Sequence, residues 1–359
     1  MEFSFTDEQK MIAETARDFF SENATSVRTR KAMCAKGMDE GIDRELWLAF
    51  CQELGLGGVA LPEQYGGAGL GMVEFALLAE AAGAQVAAIP LLSVAAVARA
   101  VAAGGSETQK AEWLPRLASG EVIAASSSSP ALTVENDRLS GPVRLVPHGG
   151  IAHMFVLRSG DRSWIVRADA PGVSVQSFTT MDQTRPLATI TLDNTPGDPL
   201  ADPAAALAAA HEGAWICVAA EALGGAQACL DRTVAYARER VQFGRQIGSF
   251  QAYKHRLADM MVEIEQARSA VYWAACAVDE HSGEAPLALH AAKSFAADAF
   301  FRCAGDMIQL HGGIGFTWEH DAHLFFKRAR AIQSMSGSGN WHREQVARMM
   351  LGELAGEAA

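Results

Sequence analysis

Apolar positions recur every three or four residues over the first third of the chain and again from about Ala204 onward, with a stretch of different character between them. Thr6-Asp7-Glu8-Gln9 has the form of a helix N-cap followed by acids in the first turn, where they complement the helix dipole. Ile12, Ala16, Phe19 and Phe20 then follow at helical spacing and predict an amphipathic opening helix. The helical pattern runs from Thr6 to about Gly120 and is interrupted at Leu61–Leu70. There Pro62 and the glycines 66, 67 and 69 exclude a regular helix and predict a shaped loop. Between about Val122 and Leu200, runs such as Phe155-Val156-Leu157, Ser163-Trp164-Ile165-Val166 and Thr189-Ile190-Thr191-Leu192 are separated by turn residues and predict strands. Ser126 to Ser129, followed by Pro130, reads as a flexible loop at the entrance to this β region. From Ala204 to about Gly352, Leu257, Met260, Met261, Ile264, Ala267, Val271 and Ala274 keep one face apolar over about five turns, as in a helix packed in a bundle. The order helices, strands, helices predicts a mainly helical α+β chain in three parts, at 1–121, 122–202 and 203–359.

Composition narrows function more than fold. With 49% hydrophobic and 20% charged residues over 359 positions, the chain is globular in character. A net charge of −12 disfavours a nucleic-acid backbone as partner, because that role needs clustered Lys and Arg. The cysteines Cys34, Cys51, Cys217, Cys229, Cys276 and Cys303 are scattered, without C-x-x-C or metal spacing, and are expected as buried thiols in a reducing cytoplasm. The first residues carry early acids and no apolar run, so no secretory signal is expected. No membrane span is expected either, since every stretch of about 20 apolar residues is broken by charge or by Gly and Ala. His148, His311, His320, His323 and His342 do not share a helix face with carboxylates and are expected as ordinary hydrogen-bonded histidines, with no metal site. Glu319-His320-Asp321 reads as a helix start, and Lys327-Arg328-Ala329-Arg330 as a solvated or interface face. No G-x-G-x-x-G follows a strand, so a Rossmann unit has no support.

Two strings carry more. The first is Glu239-Arg240-Val241-Gln242-Phe243-Gly244-Arg245-Gln246-Ile247-Gly248-Ser249-Phe250-Gln251; the second is Gln309-Leu310-His311-Gly312-Gly313-Ile314-Gly315-Phe316-Thr317. Taken alone, the first is an Arg beside a packed aromatic and the second a helix C-cap and turn. In this order and at this separation, with the opening helix, the Leu61–Leu70 loop and the Glu107 to Glu121 segment, they resemble the acyl-CoA dehydrogenase family over nearly the whole chain. The resemblance implies an N-terminal helical domain, a middle β domain and a C-terminal four-helix bundle, with FAD between them at a subunit interface. It implies that Arg240, Phe243, Gln251, Gln309, Gly312 and Gly313 contact the FAD of a neighbouring subunit. A guanidinium suits a pyrophosphate through charge-assisted hydrogen bonds, and glycine backbone approaches a dinucleotide closely.

The chain departs from the family where chemistry is needed. The family removes an α-proton from a CoA thioester with a carboxylate, in a Glu-Gly-Thr context that falls here on Ser336; the alternative position falls on Ala214. A serine hydroxyl without an adjacent base does not take that proton at neutral pH. The family's Thr-Glu-Pro and Gly-Ser-Asp segment is absent and the entrance loop Ser126 to Ala131 is short, so the middle domain is expected to be shortened. The family's Trp-Ile-Thr-Asn-Gly-Gly motif reads Leu145-Val146-Pro147-His148-Gly149-Gly150, so the flavin-facing Trp and Thr fall on Leu145 and Pro147 and the flavin-ring side of this chain's own site is expected to be degraded. The expectation is a base-lacking subunit of a mixed oligomer, similar to such subunits in the heterotetrameric dehydrogenases of bacterial sterol side-chain degradation. Its partners would be an acyl-CoA of steroid type, a second subunit of the same family and an electron-transferring flavoprotein. Two alternatives stand beside it: a self-sufficient dehydrogenase with Glu221 or Glu212 as displaced base, and a non-enzymatic scaffold or binding relative of the fold.

Overall fold

The computed structural model describes residues 4–352. The helices are α1 (Asp7–Asn23), α2 (Ser26–Cys34), α3 (Arg44–Leu48), α4 (Met72–Ala84), α5 (Leu91–Gly104), α6 (Glu107–Ala118), α7 (Pro203–Glu239), α8 (Gln251–Asp279), α9 (Ala285–His311), α10 (Ala322–Ser334) and α11 (Gly339–Leu351). The strands are β1 (Ala124–Ser128), β2 (Thr133–Glu135), β3 (Arg138–Pro147), β4 (Met154–Ser159), β5 (Arg162–Arg167), β6 (Val173–Phe178), β7 (Leu187–Pro196) and β8 (Asp198–Pro199), with a two-stranded ribbon β9 (Val241–Gln242) and β10 (Arg245–Gln246) among the later helices. The chain forms two compact units: one gathers residues up to 26, 72–87 and 215 onward, the other residues 27–71 and 88–214.

The mainly helical unit, which also carries the β9–β10 ribbon, is built by capping and by close helix contact. Thr6 caps α1 in a capping box with Gln9, which satisfies orphan amides at both positions. A Cβ placed on Gly83 would strike the backbone of Glu221, and one on Gly224 would strike that of Glu80, so α4 and α7 approach to backbone contact. Helix α9 packs against α8, α10 and α11. Met260, Ile264, Ala267, Val271 and Ala274 are buried as their spacing predicts. Met261 is not: it is 58% exposed, because one residue past Met260 a helix has turned by about 100° and left the core face. Asp321 stands at the N-cap of α10, where the helix start was expected.

The Lys327–Arg330 run is not a uniformly solvated face. Arg330 is exposed, but Arg328 is buried and faces Glu221, and the Lys327 ammonium lies 4.5 Å from the centre of the Trp318 ring. Helix α7 is by length and composition apolar enough to cross a membrane, yet 83% of that apolar window is buried by the protein itself. Its hydropathy is that of a core helix.

The second unit holds strands β1 to β8. The sheets run β1-β4-β5-β8 and β2-β3-β7-β6, with β1 and β4 parallel and the other pairs antiparallel. Inward residues of both, among them Leu139, Val143, Phe155, Leu157, Trp164 and Ile190, make one core. Ser126–Ser128 belong to β1, pairing with Val156 to Arg158, which corrects the expected flexible loop. Serine is a weak strand former, but pairing with the buried β4 overrides that preference. The Leu61–Leu70 loop contains a single 3-10 turn, Glu63–Tyr65, ended by Gly66 at φ +80°.

Candidate functional site

The chain leaves α7 at Glu239, forms the β9–β10 ribbon and enters α8 at Gln251. Phe243 and Gly244 make the two-residue turn of that ribbon with φ of +52° and +76°, the left-handed pair that matches the twist of a tight hairpin. The turn drives the Phe243 side chain outward: it is 92% exposed, with its ring edge-on to Phe250 at 6.2 Å. Arg245 covers the other aromatic, its guanidinium 4.0 Å from the Phe250 ring centre.

Beside the ribbon lies a cavity of about 600 Å³ whose walls include Arg240, Gln309, Gly312 and Gly313. Four of the six residues expected to hold a cofactor are therefore brought together. Phe243 and Gln251 stand outside the cavity lining, at the tip of the ribbon and the first turn of α8. The Arg240 guanidinium has no hydrogen-bond or ion-pair partner among the described residues and is exposed. A Cβ placed on Gly312 or Gly313 meets no atom within 4 Å, so a side chain at either would project into open space. Gly315, by contrast, is held against the Ile308 carbonyl and serves the turn itself. An unpaired guanidinium facing a wall stripped of side chains fits a large anionic ligand such as a dinucleotide.

The floor of the cavity is tied together by side-chain hydrogen bonds and a ring stack. The Tyr253 hydroxyl donates to the Leu310 carbonyl at 2.8 Å, and burial raises its pKa to about 12, so it stays a donor at neutral pH. His311 is buried, stacks on Tyr236 at 4.5 Å and bonds the Met307 carbonyl through Nδ1 at 2.7 Å. Burial lowers its pKa, which keeps the ring neutral, with Nδ1 as the donor because a carbonyl only accepts.

The expected proton acceptors are arranged differently. Ser336 is exposed on the turn between α10 and α11, at φ +53°. Glu221 is 2% exposed, 3.8 Å from the equally buried Arg328 guanidinium, which also reaches the Ala87 carbonyl. Glu212 is bound by Arg99 at 2.5 Å. Each of the two carboxylates is thus engaged by an arginine. In the β-containing unit, Leu145 sits at a bulge in β3 with φ +57° and is 64% exposed, while His148 is fully buried and bonded to the Ser93 hydroxyl at 2.8 Å.

Sequence reasoning missed a buried basic cluster under the Ser336 turn. Lys293 on α9 is fully buried and donates to the carbonyls of Gln333 and Gly337. His342 reaches the Ser336 carbonyl at 2.9 Å and His290 at 2.7 Å. The signal was present: Leu289, Ala292, Ala296 and Phe300 form an apolar stripe, and Lys293 sits one residue off it within an Ala-rich run. Among the described residues no three of His, Cys, Asp or Glu are grouped to hold a metal ion. Cys51, Cys217, Cys229 and Cys303 are buried and Cys276 is half-buried, whereas Cys34, at the end of α2, is exposed, against the expectation of a buried thiol there.

Known proteins share this arrangement of the chain. Residues 6–121 match the family described as Acyl-CoA dehydrogenase, N-terminal domain, and residues 207–351 that described as Acyl-CoA dehydrogenase, C-terminal domain. The chain is 37% identical over 325 residues to acyl-CoA dehydrogenase IpdE2 of Mycobacterium tuberculosis, covering 90% of this chain and 91% of that protein. Among solved structures, it is similar to a chain of the ChsE4-ChsE5 complex from Mycobacterium tuberculosis, with a TM-score of 0.90 at 27% identity, covering 98% of this chain and 99% of that one. A variant of the Tcur3481-Tcur3483 steroid ACAD matches with a TM-score of 0.88 at 31% identity, over 96% of this chain and 98% of that one.

Proposed function

The chain belongs to the acyl-CoA dehydrogenase family, and from that premise we propose that it is the base-lacking subunit of a mixed oligomer that lends its cavity to an FAD completed by a partner chain. FAD is the cofactor consistent with this family; when bound it supplies the hydride acceptor for α,β-dehydrogenation of a CoA thioester. In this reading Arg240 binds a phosphate oxygen by a charge-assisted hydrogen bond. The Gln309 amide orients the ligand, and Gly312 and Gly313 admit its close approach. Phe243 and Gln251 cover it from the ribbon and the start of α8. The α-proton is taken by a carboxylate of the partner, because Ser336 has no acid and Glu212 and Glu221 are each engaged by an arginine.

The observation that carries the reading is this contrast between an arginine unpaired at the cavity among the described residues and two candidate carboxylates, Glu212 and Glu221, each engaged by an arginine. The steroid character of the substrate rests on the printed name of one solved relative and the mixed assembly on another, the ChsE4-ChsE5 complex. Electron-transferring flavoprotein as the onward electron acceptor is part of the same reading, and so is a cytoplasmic setting. Co-purification from the native host, with flavin counted per chain, tests it. One FAD for every two chains, with an unlike partner carrying the acid, supports the reading. A homomer with one FAD per chain that oxidises an acyl-CoA overturns it.

A further inference from the structure

His311 ends α9 immediately before Gly312 and lines the cavity beside the β9–β10 ribbon. Tyr236 stacks on its ring at 4.5 Å with 21° between the planes, and the His320 ring lies 4.5 Å away, tilted by 47°. Nδ1 donates to the Met307 carbonyl, so in the neutral ring Nε2 carries a lone pair and no hydrogen. Among the described residues nothing donates to that lone pair. It is not sealed off either: the enclosed side-chain atoms without a partner include Nε1 of Trp47 but no atom of His311, so Nε2 opens on the cavity that the residue lines. Burial and the neighbouring His320 hold the pKa of His311 below the ordinary range, which keeps Nε2 an acceptor at neutral pH. The cavity thus offers a cationic donor at Arg240 and a neutral acceptor at His311.

We propose that His311 is a binding residue for the cofactor: its Nε2 accepts a hydrogen bond from a sugar hydroxyl of the FAD whose pyrophosphate Arg240 grips. The inference rests on the function proposed above, which puts a flavin dinucleotide in this cavity. The chemistry of the ligand selects the hydroxyl. Pyrophosphate oxygens carry no hydrogen at neutral pH and cannot serve an acceptor. The N–H groups of a flavin dinucleotide lie on its two ring systems, at the far ends, whereas the ribose and ribityl hydroxyls flank the pyrophosphate. A lone pair enclosed by a ligand that brings no donor is left unsatisfied, so the same atom discriminates against dinucleotides lacking the hydroxyl.

The test is titration of the flavin-stripped complex of this chain and its co-purified partner with FAD, followed by flavin fluorescence. His311→Phe keeps a stacking ring and has no acceptor; His311→Gln loses the ring and returns an acceptor at the reach of Nε2. Expected is a rise of about tenfold in the Kd for FAD in His311→Phe, the loss of one hydrogen bond that leaves the hydroxyl unpaired. His311→Gln recovers part of it. The reverse order, with His311→Phe like wild type and His311→Gln weakened, marks a ring needed only for its stack and overturns the proposal. Equal losses in both variants, with a lower melting temperature of the flavin-free protein, overturn it too. FAD analogues lacking a ribose or a ribityl hydroxyl distinguish the source: the analogue without the contacted hydroxyl binds His311→Phe and wild type alike. If His311→Phe does not fold, wild type decides: a loss of about tenfold with one of these analogues supports the proposal, and equal affinity for FAD and all of them overturns it. Arg240→Ala is titrated alongside. If it and His311→Phe both bind FAD as wild type does, the cofactor lies elsewhere and the proposed function fails as well; a loss in Arg240→Ala alone overturns only the role of His311.

Discussion

The cavity beside the β9–β10 ribbon and the turn at Ser336 are opposites in the same helical unit. At the cavity, among the described residues, an exposed arginine is left without a partner and two glycines leave space that no atom fills within 4 Å of where a Cβ would stand. At the turn, donors and acceptors are satisfied from within and the outer surface carries only hydroxyls. The first is shaped for something that arrives; the second is complete as it stands. In the function proposed above, these are the two halves of one division of labour, a cofactor grip that is kept and a base that is left to a partner.

The sharpest way to break that comparison is at the buried ion pair. Glu221→Gln leaves Arg328 buried without its counter-charge and should destabilise the chain by about 3–5 kcal/mol in denaturant unfolding. Turnover per folded complex should stay within a factor of about three, a loss worth less than one hydrogen bond. Abolished turnover in folded protein would instead make Glu221 the base.

Next in size is a pH effect. Burial lowers the Lys293 pKa to about 8 from 10.5, so between those values the unfolded chain holds a proton that the folded chain has released. Stability from this group therefore rises as pH climbs through that window, by on the order of 3 kcal/mol in all. Buried tyrosines and thiols, whose pKa values are raised, pull the other way, so the measurement is the difference between wild type and Lys293→Met from pH 7.5 to 10.5. The variant should lack the rising component.

At the cavity, Arg240→Ala should weaken flavin binding by about 1.5–3 kcal/mol, roughly ten- to a hundredfold, with the melting point of the flavin-free chain unchanged. Titration of the stripped complex with FAD checks it. The smallest effect belongs to the ribbon tip: Phe243→Asn keeps the left-handed turn and should change stability by less than about 0.5 kcal/mol, while removing the aromatic contact to any ligand.

Much of this was legible in the residues. Thr6 and Gln9 announced the first helix, Pro62 and its glycines the first break, and the strand runs their sheets, because each rests on local chemistry that tertiary packing reinforced. Arg240, Gln309, Gly312 and Gly313 were found through motif likeness and meet in space. Ser126–Ser128 were misread because pairing with β4, a partner 30 residues away, outweighs serine's own preference. Arg328 was misread because a charged run says nothing about which of its members turns inward, a matter settled by Glu221 on another helix. Lys293 was passed over for the same reason: its partners are main-chain carbonyls, which no sequence displays.

The backbone contact of Gly83 and Gly224 with the opposite helices has a mechanical consequence. The carbonyl that Gly224 abuts belongs to Glu80, whose side chain gathers Tyr272 and Arg268 at 2.5 and 2.6 Å, and the carbonyl that Gly83 abuts belongs to Glu221, the mate of Arg328. A single methyl group inserted at either seam would have to push α4 and α7 apart, and with them Glu80 and Glu221, whose side chains reach α8 and α10.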